Sequence, residues 1–253
     1  MTREPRCVAV EDHQGIRVIV LDVPSKRNAL SRALLEHLRV ALTDRDSAGG
    51  HGMVVTGRGA VFSAGADLDE LGATPSDRQL DDAVGEALRV LTTLDVPTLA
   101  AVEGPCIGAA VDIVLACDVV VAAEDAFFEV PALRHGLVYR PTSVARWYQR
   151  VPRGTLTRLL ALGERLPAPA ARDAGIVDVV TASGGAVPKA VERARMYRDS
   201  PAARSTVAML RALDLGTFDA AKWTKEQMAM LESDRRRSAL RTSRSTTRPA
   251  GAT

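Results

Sequence analysis

Two runs near the start of the chain, residues 7–12 and 16–22, are rich in β-branched and other apolar residues, and His13-Gln14-Gly15 separates them. That arrangement predicts a β-hairpin. After a loop over 23–28 the period changes. Leu30, Leu34, Leu38 and Leu42 recur every four residues behind Ser31, a candidate N-cap. This predicts an amphipathic helix running to about Asp44. Residues 52–56 predict a short strand, 77–94 a helix and 97–102 a buried strand. Glu103-Gly104-Pro105-Cys106-Ile107-Gly108-Ala109-Ala110 reads as a turn leading into a helix through about Cys117, and 119–122 as another buried strand. Strands alternating with helices predict an α/β fold. From Pro152 onward the pattern is helical except for one apolar run at 176–180. The expected organisation is a core over residues 1–195 and a C-terminal helical segment with a basic tail over 196–253.

Composition narrows the class. Hydrophobic residues make up 46% and charged residues 25% of the 253, which excludes global disorder and fibrous architectures. The longest apolar run, 107–123, is interrupted by Asp112 and Asp118, so no membrane helix is expected. The first fifteen residues lack the apolar segment of a secretory signal. Three cysteines (Cys7, Cys106, Cys117) without a CxxC spacing point to a reducing compartment, hence the cytoplasm, and away from disulfides or a metal site.

The net charge of +2 is unevenly spread. Arg235, Arg236, Arg237, Arg241, Arg244 and Arg248 crowd the last nineteen residues, which hold no acid, and the preceding part is net acidic. A nucleic-acid partner is not expected, since two tryptophans, three tyrosines and four phenylalanines offer few stacking platforms. The tail reads as a solvated terminal segment, or as a contact for the phosphates of a small ligand.

Chemistry concentrates in two turns, at 64–68 and 104–112, where small residues stand where the chain leaves a strand. Small side chains let a ligand approach the main chain, and N–H groups at a helix start point outward as donors. Two such turns meeting across a sheet can present two N–H groups to one oxygen, the arrangement that stabilises a thioester enolate or a tetrahedral oxyanion. Neither turn is a P-loop or fits GxGxxG.

Three segments together resemble the enoyl-CoA hydratase/isomerase family, the crotonase superfamily. They are Pro24-Ser25-Lys26-Arg27-Asn28-Ala29-Leu30, Val61-Phe62-Ser63-Ala64-Gly65-Ala66-Asp67-Leu68, and the stretch 97–108 running on to Cys117-Asp118. Weaker similarity extends the match over roughly residues 8–200. The resemblance implies a crotonase-like spiral of ββα units with a C-terminal helical trimerisation region. It implies a homotrimer or hexamer that binds acyl-CoA thioesters, with no cofactor beyond the coenzyme A of the substrate. By place in the motif, the N–H groups of Ala66 and Ala109 would be the oxyanion donors. Lys26, Arg27 and Ala29 lie where the family loop cradles the nucleotide and pantetheine. Ala64, Asp67, Leu68 and Gly108 match positions along the rest of the coenzyme A path.

The pattern also breaks. The first family glutamate aligns with Asp112, one methylene shorter and four residues after Gly108 on the same helix face. A helix N-terminus would favour its ionised form, and burial would oppose that. The second glutamate falls on Ala132, which cannot transfer a proton. Glu129, three residues earlier in an extended segment, is expected on the opposite face. Arg140 stands where another family branch has an acid, and Tyr139 matches the tyrosine of a decarboxylase branch. His135 is a further acid/base candidate. Phe218 and Trp223 are expected to pack in the core. The leading expectation is hydration or double-bond isomerisation with Asp112 as the main acid/base. A catalytically weak acyl-CoA binder, and a methylmalonyl-CoA-decarboxylase-like enzyme using Tyr139 and Arg140, are the alternatives.

Overall fold

The computed structural model describes residues 7–44, 51–197, 200–238 and 240. They fall in two compact units, Met1–Ser200 and Pro201–Thr253. The basic tail beyond residue 240 lies outside the described residues.

The hairpin forms as its composition predicts, with β1 (Val8–Asp12) antiparallel to β2 (Ile16–Leu21). Gln14 and Gly15 make the reversal at φ 61° and 84°. The remaining strands of the large sheet are parallel: β3 (Gly52–Gly57), β4 (Thr98–Val102), β6 (Val119–Ala123) and β9 (Val179–Thr181). The order across the sheet is β1-β2-β3-β4-β6-β9. Strand alternation divides the core into two layers. Ile16, Val18, Val20, Val54, Leu99, Ala101 and Val121 face one side and pack on the small residues Ala186, Ala190 and Ala194 of helix α7 (Ala186–Tyr197). Ile19, Leu21, Val55, Ala100, Val102, Val120 and Ala122 face the other, under helices α1 (Arg32–Thr43), α2 (Arg78–Thr93) and α3 (Ala109–Ala116). The four-residue leucine spacing becomes the buried stripe of α1, and Ser31 caps that helix by accepting from the Leu34 N–H at 3.1 Å.

A second, shorter layer of extended chain repeats beside the first. Leu30 bridges Ala66, Ser63 bridges Cys106, and β5 (Cys106–Ile107) pairs with β7 (Phe127–Glu129), every step parallel. Short β8 (Leu166–Pro167) closes this layer on β7. Each repeat therefore runs from a long strand to a short extended segment to a helix: β2 to α1, β3 to α2, β4 to α3, and β6 to α4 (Pro141–Arg150). This is a spiral of ββα units. The functional residues lie where the short segments hand over to helices. Short helices α5 (Arg153–Leu156) and α6 (Ala168–Asp173) complete this unit.

The C-terminal unit holds α8 (Pro201–Asp214) and α9 (Ala220–Glu232). Here the expectation of core packing for Phe218 and Trp223 fails. Phe218 is 44% exposed, and both side chains line a groove with Met209 and Met230. Among the described residues of this unit, α8 and α9 leave that face open. No helix among the described residues is long and apolar enough to cross a membrane.

Candidate active site

The loop at 24–30 is held from inside by Asn28. It is fully buried at φ 53°, the left-handed region that asparagine tolerates better than most residues. Its amide donates to the carbonyls of Arg58, Val61 and Phe62 at 3.0, 2.8 and 3.2 Å, and its Oδ1 accepts from the Val23 N–H. One side chain thus fastens the loop to the segment leaving β3. Ser63 Oγ donates to the Asn28 carbonyl at 2.7 Å and accepts from the Gly65 N–H at 3.1 Å. Leu30 then brackets Ala66, donating to the Gly65 carbonyl and accepting from the Asp67 N–H. In a parallel bridge of this kind the N–H of the bracketed residue points away from its partner, so the Ala66 N–H faces the opposite side.

On that side stands the start of α3. Gly108 takes φ 58° and ψ −125°, a conformation suited to glycine. The chain turns there sharply enough to open a helix at Ala109. Gly65, at φ 84°, lets the two turns touch: a Cβ on it would lie 2.5 Å from the Ile107 carbonyl oxygen and 3.4 Å from the Ala109 nitrogen. Neither the Ala66 nor the Ala109 N–H donates a hydrogen bond among the described residues. Both residues line one apolar cavity of about 240 Å³, together with Ala64, Leu68, Gly108, Asp112, Ala132 and Tyr139. Unused donors at the wall of an apolar cavity are what a developing oxyanion requires.

Asp112 is 1% exposed and reaches this cavity from the first turns of α3. Its Oδ2 accepts from the Tyr139 hydroxyl at 2.8 Å, and its Oδ1 from Arg146 Nη2 at 2.9 Å. Burial raises the carboxyl above the usual aspartate range, against the lowering pull of Arg146 and the hydrogen bonds it accepts. Tyr139 lies against Trp147, ring centroids 5.0 Å apart, and its hydroxyl also lies within 3.2 Å of the Gly108 carbonyl. Burial and the adjacent Asp112 push its phenol well above the ordinary range, so it is a proton donor at neutral pH rather than a phenolate.

The other sequence-derived positions divide. Ala64, Leu68 and Gly108 line the cavity; Lys26, Arg27, Ala29 and Asp67 do not. Arg27 is exposed, its carbonyl accepting from Ala64 N–H. Ala29 is half-buried. Asp67 is buried, caps the turn at 68–70 through the Asp69 N–H and pairs with Lys26 Nζ at 3.0 Å, so its carboxylate braces the loop. Lys26, half-exposed, also reaches Asp69 at 3.0 Å. Glu129 is buried and paired with Arg134 and Arg165 at 2.7 and 3.0 Å, and it does not line the cavity. His135 sits exposed at the cavity edge. Two residues that sequence reasoning passed over matter here, Asn28 as the fastener and Arg146 as the partner of Asp112. Asn28 carried a signal in its position within the motif. Arg146 carried none, since nothing in the spacing of α4 separates it from Arg140 or Arg150.

The site is thus a ββα spiral with two unused backbone donors opening on one apolar cavity. Comparisons with known proteins identify the family. A family model described as enoyl-CoA hydratase/isomerase matches residues 11–236. The chain is 34% identical over 191 residues to the Mycobacterium leprae protein named "Probable enoyl-CoA hydratase echA6", covering 73% of this chain and 75% of that one. It is 33% identical over 199 residues to the 2,3-dehydroadipyl-CoA hydratase of Escherichia coli K12, with 77% of each covered. Its fold superimposes on human enoyl coenzyme A hydratase domain-containing protein 3 with a TM-score of 0.81 at 25% identity, covering 97% of this chain and 100% of that one. The chain belongs to the enoyl-CoA hydratase/isomerase family and has the crotonase fold.

Proposed function

We propose that the protein binds an acyl-CoA thioester, stabilises its enolate with the N–H groups of Ala66 and Ala109, and moves a proton through Asp112. The observation that carries this reading is the pair of unused N–H groups opening on the same cavity as one buried carboxylate. The thioester oxygen would accept from both donors as negative charge develops on it. Asp112, ionised, takes the proton from one carbon and returns it to another, with the Tyr139 hydroxyl and Arg146 holding it in place. One carboxyl suffices for that double-bond shift, because a single base can carry the proton between carbons. Addition of water is the second reaction the site could serve, with Asp112 activating the water, since Ala132 supplies no second carboxyl. The relative named for 2,3-dehydroadipyl-CoA supports an unsaturated acyl-CoA substrate. This chemistry asks for no metal and no cofactor beyond the coenzyme A of the substrate.

The test follows the absorbance of the conjugated enoyl thioester. A rise from 3-enoyl-CoA substrates marks isomerisation, and a loss from trans-2-enoyl-CoA marks hydration. Tight binding of acyl-CoA with neither change would replace the enzymatic reading by that of a binding protein. Assembly belongs to the same reading: exposed Leu210, Leu213, Phe218 and Leu231 on the C-terminal unit suit a homotrimer or hexamer.

The Asp112–Arg146 pair gives a pH-dependent expectation. The base must be ionised, so kcat/KM rises as pH climbs through the Asp112 pKa, and burial places that limb above the usual aspartate value of about 3.9. Removing the cation in Arg146→Gln takes away a lowering influence, and the limb should move to higher pH. A limb that stays put in the variant would show that Arg146 does not tune this carboxyl.

A further inference from the structure

The cavity is lined by a largely buried cation that the mechanism above does not use. Arg140 lines it beside Tyr139, and its side chain is only 15% exposed. Its Nε is buried without a hydrogen-bond partner. The contact recorded for its guanidinium is a long one, Nη2 to Asp81 Oδ1 at 3.4 Å, and that aspartate is 71% exposed. Asp112 feels the Arg140 charge, but its direct ionic contact is with Arg146. The helix opposite makes room for the group. Gly85, inside α2, would place a Cβ 3.0 Å from Arg140 Nη1, and glycine in a helix interior costs about 1 kcal/mol relative to alanine. The cavity wall that Arg140 shares carries Leu80, Leu137, Val138 and Ala132, with the charged residues Asp77, Arg78 and Asp81 also on it.

A guanidinium has five N–H donors and no acceptor, and it pairs best with a planar carboxylate through two parallel hydrogen bonds. Leaving one buried with an unmet donor is costly unless a ligand supplies the acceptor. The ligand group must therefore be anionic and small, and it must enter the same cavity as the carbonyl held by Ala66 and Ala109. We propose that Arg140 is a specificity-determining residue that recognises a carboxylate carried on the acyl group, so that the preferred substrates are acyl-CoA thioesters of dicarboxylic acids. This rests on the thioester reading given above. The incoming carboxylate exchanges the long, exposed Asp81 contact for a short one and gives Nε its partner.

The experiment compares saturated acyl-CoAs of matched length, ending either in methyl or in carboxylate, by calorimetric binding to wild type, Arg140→Met and Arg140→Lys. The quantity read is the ratio of the two affinities in each protein. This ratio is insensitive to any loss of folded protein, because both ligands meet the same sample. Wild type should favour the carboxylate at one chain length or more, and Arg140→Met should reduce that ratio by about 10- to 100-fold, as expected for a charge-assisted pair. Arg140→Lys should fall between them, keeping the charge and losing the fork. A wild-type ratio near one at every length overturns the proposal. So does an equal weakening of both ligands by Arg140→Met, which would place Arg140 on the coenzyme A moiety or in the scaffold. If the carboxylate preference appears while no enoyl thioester is turned over, the catalytic reading fails and this one stands. If neither ligand binds, both fail together.

Discussion

Asp112→Asn should lower turnover of an enoyl-CoA by about 10²- to 10⁴-fold, the range lost with a general acid/base, while leaving the protein at least as stable as wild type at neutral pH. The first half follows from placement. Of the three aspartates that line the cavity with both oxyanion donors, Asp112 is the buried one, Asp77 and Asp81 being more exposed, and Ala132 on the same wall offers only a methyl group. Asparagine fills the same space and still accepts a hydrogen bond, but it cannot carry a proton. The second half follows from the sign of the pKa shift. The Asp112 carboxyl titrates higher in the folded protein than in the unfolded chain because burial outweighs the pull of Arg146. A raised acid contributes stability that is fully present below its unfolded pKa and is lost as pH climbs through its folded pKa. Burial disfavours the charge that the base must carry, and the neutral amide removes that penalty. Thermal melting of both proteins at pH 7, beside the enoyl absorbance assay, checks the two halves together. Turnover within tenfold of wild type would remove Asp112 from the mechanism. A large stability loss with activity loss would make it a structural pin of Arg146 and Tyr139.

That combination, lower stability in exchange for chemistry, also marks where the sequence stopped being legible. Hydrophobic period alone delivered the elements. The leucine stripe of α1, the buried strands β4 and β6 and the hairpin follow from spacing, because burial on one face or both is written directly into residue order. The motif residues likewise located the two turns. Partnership was not legible. Asp67 and Lys26 stand in the sequence as expected ligand contacts, and their pairing with each other could not be read there, because it depends on the loop at 24–30 meeting the turn at 67–69. Arg146 comes to Asp112 from thirty-four residues away, and such a distance is set by how α4 packs rather than by any local pattern. Glu129 shows the converse. Strand alternation predicted that it would point away from the site, and it is buried between Arg134 and Arg165, off the cavity. Regular backbone geometry transmits such information; long-range pairing does not.

Gly65→Ala should abolish most activity although it alters no group that touches a substrate. The alanine methyl would stand 2.5 Å from the Ile107 carbonyl oxygen, and that neighbour is backbone, part of the short strand β5, which is itself paired with β7. Ordinary van der Waals contact needs close to another ångström, so the turn bearing Ala66 has to withdraw from the turn bearing Ala109. A misplacement of about 1 Å in a catalytic geometry costs on the order of 10²-fold in rate, and removal of one oxyanion donor costs about 10²- to 10³-fold. Gly65 also sits at φ 84°, where an L residue adds roughly 1–2 kcal/mol of strain. Gly136→Ala separates the two contributions: that glycine has φ 64° but open space around the added methyl. It should show a comparable conformational cost in melting temperature and much less effect on rate. Measuring kcat/KM and melting for both variants against wild type decides the matter. If Gly65→Ala keeps activity within a few-fold while Gly136→Ala destabilises equally, the close approach of the two turns is not what assembles the oxyanion site. If Gly65→Ala alone loses the rate, the contact between those turns is the element that holds both N–H groups on one oxygen.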